Sequence, residues 1–98
     1  MQLYGIRRRS WWKTPEELEA AAGRSSAAGD EEGSGVRWIR SYVLQEEDGT
    51  LGTYCIYEAE SPEAIRTHAE KSGFGADEIN EVADTVIIRP DPVEAASA

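Results

Sequence analysis

The chain has 98 residues, of which 40% are hydrophobic, and a formal net charge of -9. This length fits one domain with a single modest core, and the acidic balance argues against nucleic acid and anionic membranes, which need a basic partner surface. Cys55 is the lone cysteine, so an internal disulfide is excluded and a reducing compartment is compatible. With no signal peptide and no apolar run near the roughly 20 residues that span a bilayer, we expect a cytoplasmic globular protein.

The first strand is predicted at residues 2–10. Alternation places Tyr4, Ile6 and Arg8 on one face, with Leu3, Gly5, Arg7 and Arg9 on the other. Trp11 and Trp12 follow, and adjacent tryptophans favour packing at a core edge or an interface, with ligand stacking as the alternative. A helix then begins with Thr14 as N-cap, Pro15 in the first position and Glu17 completing a capping box. Its end is predicted at Gly23 or at about Ala28.

A glycine-rich acidic segment at residues 29–35 is predicted to be a flexible loop. Two strands follow at residues 36–44 and 53–58, and Asp48-Gly49 between them is a hairpin signal. The second helix repeats the start of the first one, with Ser61 as N-cap and Pro62 in the first position.

The second helix presents one inward face, predicted from its spacing as Ile65, His68, Ala69 and Ser72. Gly73 is predicted as its C-terminal cap. A short turn is predicted at residues 76–79, and the last strand at residues 82–89, ended by Pro90. We expect one domain at residues 1–90 and a disordered tail at 91–98.

Strand, helix, strand, strand, helix, strand is the order of the ferredoxin-like fold, an α+β class. It predicts a four-stranded antiparallel sheet with both helices on one face. We assign the aliphatic Ile39, Val43 and Ile56 to the covered face. The uncovered face then carries a mixed aromatic and polar set: Arg7, Trp38, Arg40, Tyr42, Cys55 and Tyr57. A one-residue change of register would exchange the two faces.

Two segments, VRWIRSYV and TYCIYEAESPEAIRTHAEKSGFGADEINEV, resemble a known family, and residues 4–8 extend the similarity weakly. The family comprises small single-domain proteins of unknown function, and it includes an actinobacterial nickel-binding protein. The resemblance implies a ferredoxin-like fold, a homodimeric α/β barrel and nickel as a candidate ligand. The acidic loop and the Trp11-Trp12 pair are departures from the family.

Three functions remain open from the residues themselves. The first is a non-enzymatic homodimer that binds a small molecule or divalent metal between its sheets, with the six residues of the uncovered face as ligand contacts. His68 is the one imidazole available to a metal, and nickel prefers imidazole and thiolate ligands. The second is an enzyme of the dimeric α/β barrel type using His68, Glu58 and Tyr57 as acid–base groups. The third is a structural interaction module, because aromatic residues and arginine are enriched at interfaces.

Overall fold

The computed structural model describes residues 1–31 and 33–92. Its elements, in chain order, are β1 (Gln2–Trp12), α1 (Pro15–Asp30), β2 (Val36–Gln45), β3 (Leu51–Ala59), α2 (Pro62–Ser72) and β4 (Glu78–Glu81). The strands form one antiparallel sheet in the order β2-β3-β1-β4. The predicted ferredoxin-like βαββαβ fold is therefore confirmed. Within the described ranges, no helix is long and apolar enough to cross a membrane.

The helix ends follow local sequence signals. Thr14 Oγ1 accepts a hydrogen bond from the Glu17 backbone N–H at 3.2 Å, and Ser61 Oγ accepts one from Ala64 at 3.2 Å. Gly73 closes α2 in the left-handed conformation that glycine adopts most easily. Each cap satisfies backbone groups that the first or last turn leaves without partners.

Helix α1 continues past Gly23 and reaches Asp30, because Ala21, Ser25 and Ala28 form a buried stripe that outweighs the low helix propensity of glycine. The predicted loop at 29–35 is thus helical at its first two residues, while Glu32 lies outside the described residues. Of the tail predicted at 91–98, residues 93–98 also lie outside them.

The last strand is the main error in the predicted elements. It lies at Glu78–Glu81, not at 82–89, and the turn predicted at 76–79 is wrong for the same reason. Backbone hydrogen bonds to β1 flank β4 at both of its ends. The Asp77 N–H donates to the Arg7 carbonyl at 3.0 Å, and the Val82 N–H donates to the Leu3 carbonyl at 2.9 Å. Residues 83–89, although rich in β-branched side chains, form no helix or strand.

Both helices cover the same side of the sheet, called the helix face below, because Tyr57 on β3 contacts Ser25 on α1 and His68 on α2. The opposite side is called the open face. The core lies on the helix face and consists of Tyr4, Ile6, Val36, Cys55, Tyr57, Ala59 and Ile65. Residues directly opposite in an antiparallel pair share a face, so the register of the strands assigns the other side chains.

A β-bulge at Ile39 divides β2 into two parts. Trp38 pairs with Tyr57 and Arg40 pairs with the next residue of β3, Ile56. Ile39 is therefore an extra residue of β2 without a partner on β3. Trp38 therefore lies on the helix face, stacked on Tyr57 at 6.0 Å between ring centroids, while Arg40 lies on the open face. Val43 lies on the helix face, as predicted, whereas the prediction for Ile56 is wrong because it lies on the open face. Ile39 was also assigned to the covered face, but it occupies the bulge and is exposed.

Candidate functional site

The six residues predicted as one ligand site lie on two sides of the sheet. Arg7, Arg40 and Tyr42 occupy the open face, as predicted. Trp38, Cys55 and Tyr57 lie on the helix face, so their predicted placement is wrong. The bulge at Ile39 separates Trp38 from Arg40, and the aromatic Tyr57 takes the core position on β3 that was assigned to Ile56.

On the open face, Arg7 is bound within the chain. Its Nη2 donates to both carboxylate oxygens of Glu46, at 3.0 and 3.1 Å, and its Nη1 donates to the backbone carbonyls of Arg8 and Thr53. These hydrogen bonds from Arg7 hold the pKa of Glu46 below its usual value. Arg7 therefore fixes the β2–β3 turn to β1.

Asp91 brings the C-terminal segment to the other two open-face residues. Its carboxylate accepts from Arg40 Nη1 at 2.9 Å and from Tyr42 Oη at 2.8 Å. The hydrogen bond to Asp91 raises the pKa of Tyr42. Residues 85–91 and these two side chains line a groove of about 540 Å³. An acidic group of the chain itself thus binds two of the side chains that were predicted as ligand contacts.

His68 lies in a buried polar triangle. Its Nε2 is 2.9 Å from Ser25 Oγ and 3.4 Å from Tyr57 Oη, and Ser25 and Tyr57 are 2.9 Å apart. Burial lowers the pKa of His68, as do the nearby charges of Arg8 and Lys71, so the neutral imidazole is favoured. Burial also raises the pKa of Tyr57.

A metal at His68 would need further ligands. Among the described residues, no group of three or more His, Cys, Asp or Glu side chains is arranged to hold a metal ion. The triangle offers two hydroxyls, which suit nickel poorly compared with imidazole or thiolate. His68 and its neighbours therefore do not fit a nickel centre within one chain.

The acid–base groups considered for an enzyme are also divided. His68 and Tyr57 meet on the helix face, but Glu58 follows Tyr57 on β3 and pairs with Arg37 at 3.0 Å. Successive residues of a strand point to opposite faces. The three groups do not converge on a common cavity.

A second cavity lies between α1 and the helix face, with a volume of about 210 Å³. Its walls are mainly the side chains of Trp12, Leu18, Ala21, Trp38, Val43 and Phe74. Arg8 and Thr53 contribute polar groups to the same wall, and both are buried. Trp12 also packs edge-to-face on Phe74, whereas Trp11 is exposed and donates its indole N–H to Asp77.

Arg8 was not singled out from the sequence. The signal was present, because alternation places it on the same face as Tyr4 and Ile6, which are core residues. A charged residue that continues a core stripe into the interior is unusual, since arginine is almost never fully buried without a partner. Thr53 carries no such signal, and only its pairing with Arg8 identifies it.

Comparison with known proteins agrees with this architecture. A family model described as nickel responsive protein SCO4226-like matches residues 4–82. The crystal structure of SCO4226 from Streptomyces coelicolor A3(2) is similar, with a TM-score of 0.67 and 25% sequence identity. That alignment covers 86% of this chain and 99% of SCO4226. No curated protein matches the chain.

Proposed function

Because the chain belongs to the SCO4226-like family of nickel responsive proteins, we propose that it is a homodimeric binding protein whose subunits meet through their open faces. The space between the two sheets would take a small molecule or a nickel ion. The observation that carries this proposal is the exposed apolar segment beside the open face. Val86 is 79% exposed, Ile87 68% and Ile88 80%.

Three consecutive β-branched side chains in water are unfavourable. Full burial of each one is worth about 1.5–3 kcal/mol, and contiguous exposed apolar patches mark interaction surfaces. The open face adds Tyr42, which is also exposed, and the groove beside Arg40. A second copy of the same surface would cover these groups by two-fold symmetry.

The side chains that could coordinate a metal indicate how a nickel ion would be held. The described part of one chain has no cluster of metal ligands, while the whole chain carries 19 acidic residues and one histidine. A nickel ion between the open faces would therefore be held by carboxylates from two subunits, since Cys55 and His68 lie on the helix face. His68 lies on α2 and is buried against α1 and the sheet, so we propose that it takes no part in this shared site.

The dimer is tested by sedimentation equilibrium of the wild-type protein and a Val86→Asp/Ile88→Asp variant at micromolar concentration. We expect a wild-type dimer and a monomeric variant. The matched control is Ala83→Asp, which adds one charge to an exposed position of the same segment and should leave the dimer intact. A monomeric wild-type protein would remove both the dimer and the cavity between sheets.

The metal is tested by calorimetric titration of metal-free protein with nickel, using zinc and magnesium as comparisons. We expect nickel to bind the wild-type protein and His68→Gln equally, and to bind the monomeric variant more weakly. Loss of nickel binding in His68→Gln alone would return the site to α2. Equal binding by the monomer would place the site within one subunit.

A further inference from the structure

Arg8 is a buried cation without a carboxylate partner. Its side chain is part of the interior, with 1% of the residue exposed, and it forms no salt bridge with any residue in 1–31 or 33–92. A guanidinium remains charged at any physiological pH. Burying such a charge without an opposite charge carries a large desolvation penalty even after relaxation. This cost is an unusual feature for a domain with a modest core.

The guanidinium is held in one orientation by three contacts. Nε donates to the Gly75 carbonyl at 2.7 Å, Nη1 donates to Cys55 Sγ at 3.5 Å, and Cζ lies 4.5 Å from the centroid of the Phe74 ring. Cys55 is itself fixed by a hydrogen bond from Ser41 Oγ at 2.9 Å. The remaining nitrogen, Nη2, is buried and has no hydrogen-bond partner in the described part of the chain.

Thr53 provides a second unused polar group beside the first. It is directly opposite Arg8 in the β1–β3 pairing, which places the two Cβ atoms about 4.5–5.5 Å apart on the same face. Its Oγ1 is buried and likewise has no partner among the described residues. Two donors without partners, an N–H of a cation and a hydroxyl, therefore belong to paired residues that both line the 210 Å³ cavity.

We propose that this cavity binds a small apolar monocarboxylate, whose carboxylate accepts hydrogen bonds from Arg8 Nη2 and Thr53 Oγ1. The apolar body of the ligand would pack against Trp12, Trp38 and Phe74. This site lies within one subunit, beneath α1, and is separate from the open-face site proposed above.

Size and wall chemistry define the ligand class. An apolar cavity of about 150 Å³ accepts benzene, so a volume of about 210 Å³ suits a benzene ring with a short carboxylate arm. A phosphate would bring two charges and several oxygens to one cation and mostly apolar walls, where its unpaired oxygens would be costly. Leu18 and Val43 line the cavity and are partly exposed, so a ligand can enter between α1 and β2.

Tryptophan fluorescence gives a direct test, because two of the three tryptophans line the cavity. The wild-type protein is titrated with phenylacetate and, separately, with 2-phenylethanol, which has a similar shape and no charge. We expect saturable quenching by phenylacetate and binding of 2-phenylethanol that is about 10- to 100-fold weaker, the range typical of a hydrogen bond to a charged group.

Variants then assign the binding to the two donors. Arg8→Gln and Thr53→Val should each weaken phenylacetate binding by about tenfold or more while leaving 2-phenylethanol binding unchanged. The matched control is Arg9→Gln, because Arg9 is the next residue, is exposed, and pairs with Glu78 at the surface. Arg9→Gln should bind both ligands as the wild type does. If Arg8→Gln fails to fold, Thr53→Val and the comparison of the two ligands still decide the matter.

Three results would overturn the proposal. They are the absence of saturable quenching by phenylacetate, equal affinity for phenylacetate and 2-phenylethanol, and displacement of phenylacetate by an equal concentration of chloride or inorganic phosphate. The last result would define an inorganic anion site. Each of these measurements is independent of nickel and of dimer formation, so failure here leaves the open-face proposal standing.

Discussion

His68 makes the stability of the fold depend on pH in the weakly acidic range. Its pKa is lowered by burial, then by the charges of Arg8 and Lys71, from an ordinary value of 6.5. Protonation would place a cation next to Arg8 and would change the hydrogen bonds with Ser25 and Tyr57. As pH falls below 6.5, His68 therefore becomes protonated in the unfolded chain while it stays neutral in the folded protein. The free energy of unfolding decreases as a result.

The magnitude follows from this one proton. The free energy of unfolding falls by up to about 1.4 kcal/mol per pH unit below 6.5 for as long as His68 remains neutral in the folded protein. The loss begins near pH 6.5 and grows as the pH falls towards the lowered pKa of His68 in the folded protein. Well above pH 6.5 the imidazole is neutral in both states, and His68 contributes no further pH dependence.

Urea unfolding of the wild-type protein and His68→Gln, followed by circular dichroism between pH 5 and pH 7.5, measures this loss at fixed protein concentration. Glu46 and Asp48 also have lowered pKa values, so acidification destabilises both proteins through these carboxylates. The difference between the two curves isolates His68. We expect His68→Gln to lose less stability than the wild type between pH 7 and pH 5, because the variant lacks the buried imidazole. If the free energies of unfolding of the two proteins change in parallel with pH, His68 has the same pKa in the folded and unfolded chain. That result would refute the conclusion that burial lowers its pKa.

Three further predictions concern stability at neutral pH and are checked by urea unfolding. Gly52→Ala should destabilise the protein by about 1–3 kcal/mol, because the new Cβ would collide with the Arg8 backbone carbonyl oxygen; an unchanged midpoint would contradict this packing. Gly23→Ala should have the opposite sign and stabilise by about 0.5–1 kcal/mol, since this position lies inside α1 with open space around it. Ser61→Ala should cost about 1 kcal/mol by removing the cap on Ala64 N–H, whereas Ser61→Asn should retain most of that stability.

Local sequence signals were sufficient for the element order, for the start of both helices and for the end of α2. Thr14, Ser61 and Gly73 act within one turn of their own helix, so no distant contact can reverse them. The inward face of α2 was also correct, because Ile65 and His68 are both buried as the spacing predicts. These features depend on neighbours within four residues.

The errors arose where distant parts of the chain decide the structure. Residues 82–89 have stronger β-propensity than Glu78–Glu81, yet it is the polar segment that pairs with the edge of β1. The bulge at Ile39 depends on the register with β3, which alternation within β2 does not reveal. The cavity at Arg8 needs four elements at once, β1, α1, β2 and β3, so a single strand could indicate only one of its walls.

The extra residue at Ile39 also constrains how this chain can change length. Deleting Ile39 would restore simple alternation in β2, and one half of the strand would have to rotate its side chains to the opposite face. Either the Trp38 indole would leave the interior, or the Arg40 guanidinium would enter it. An insertion or deletion in the turn at 46–50 moves neither half. Relatives of different length should therefore vary in that turn or in the loop before β2, and retain the count of residues between Val36 and Gln45.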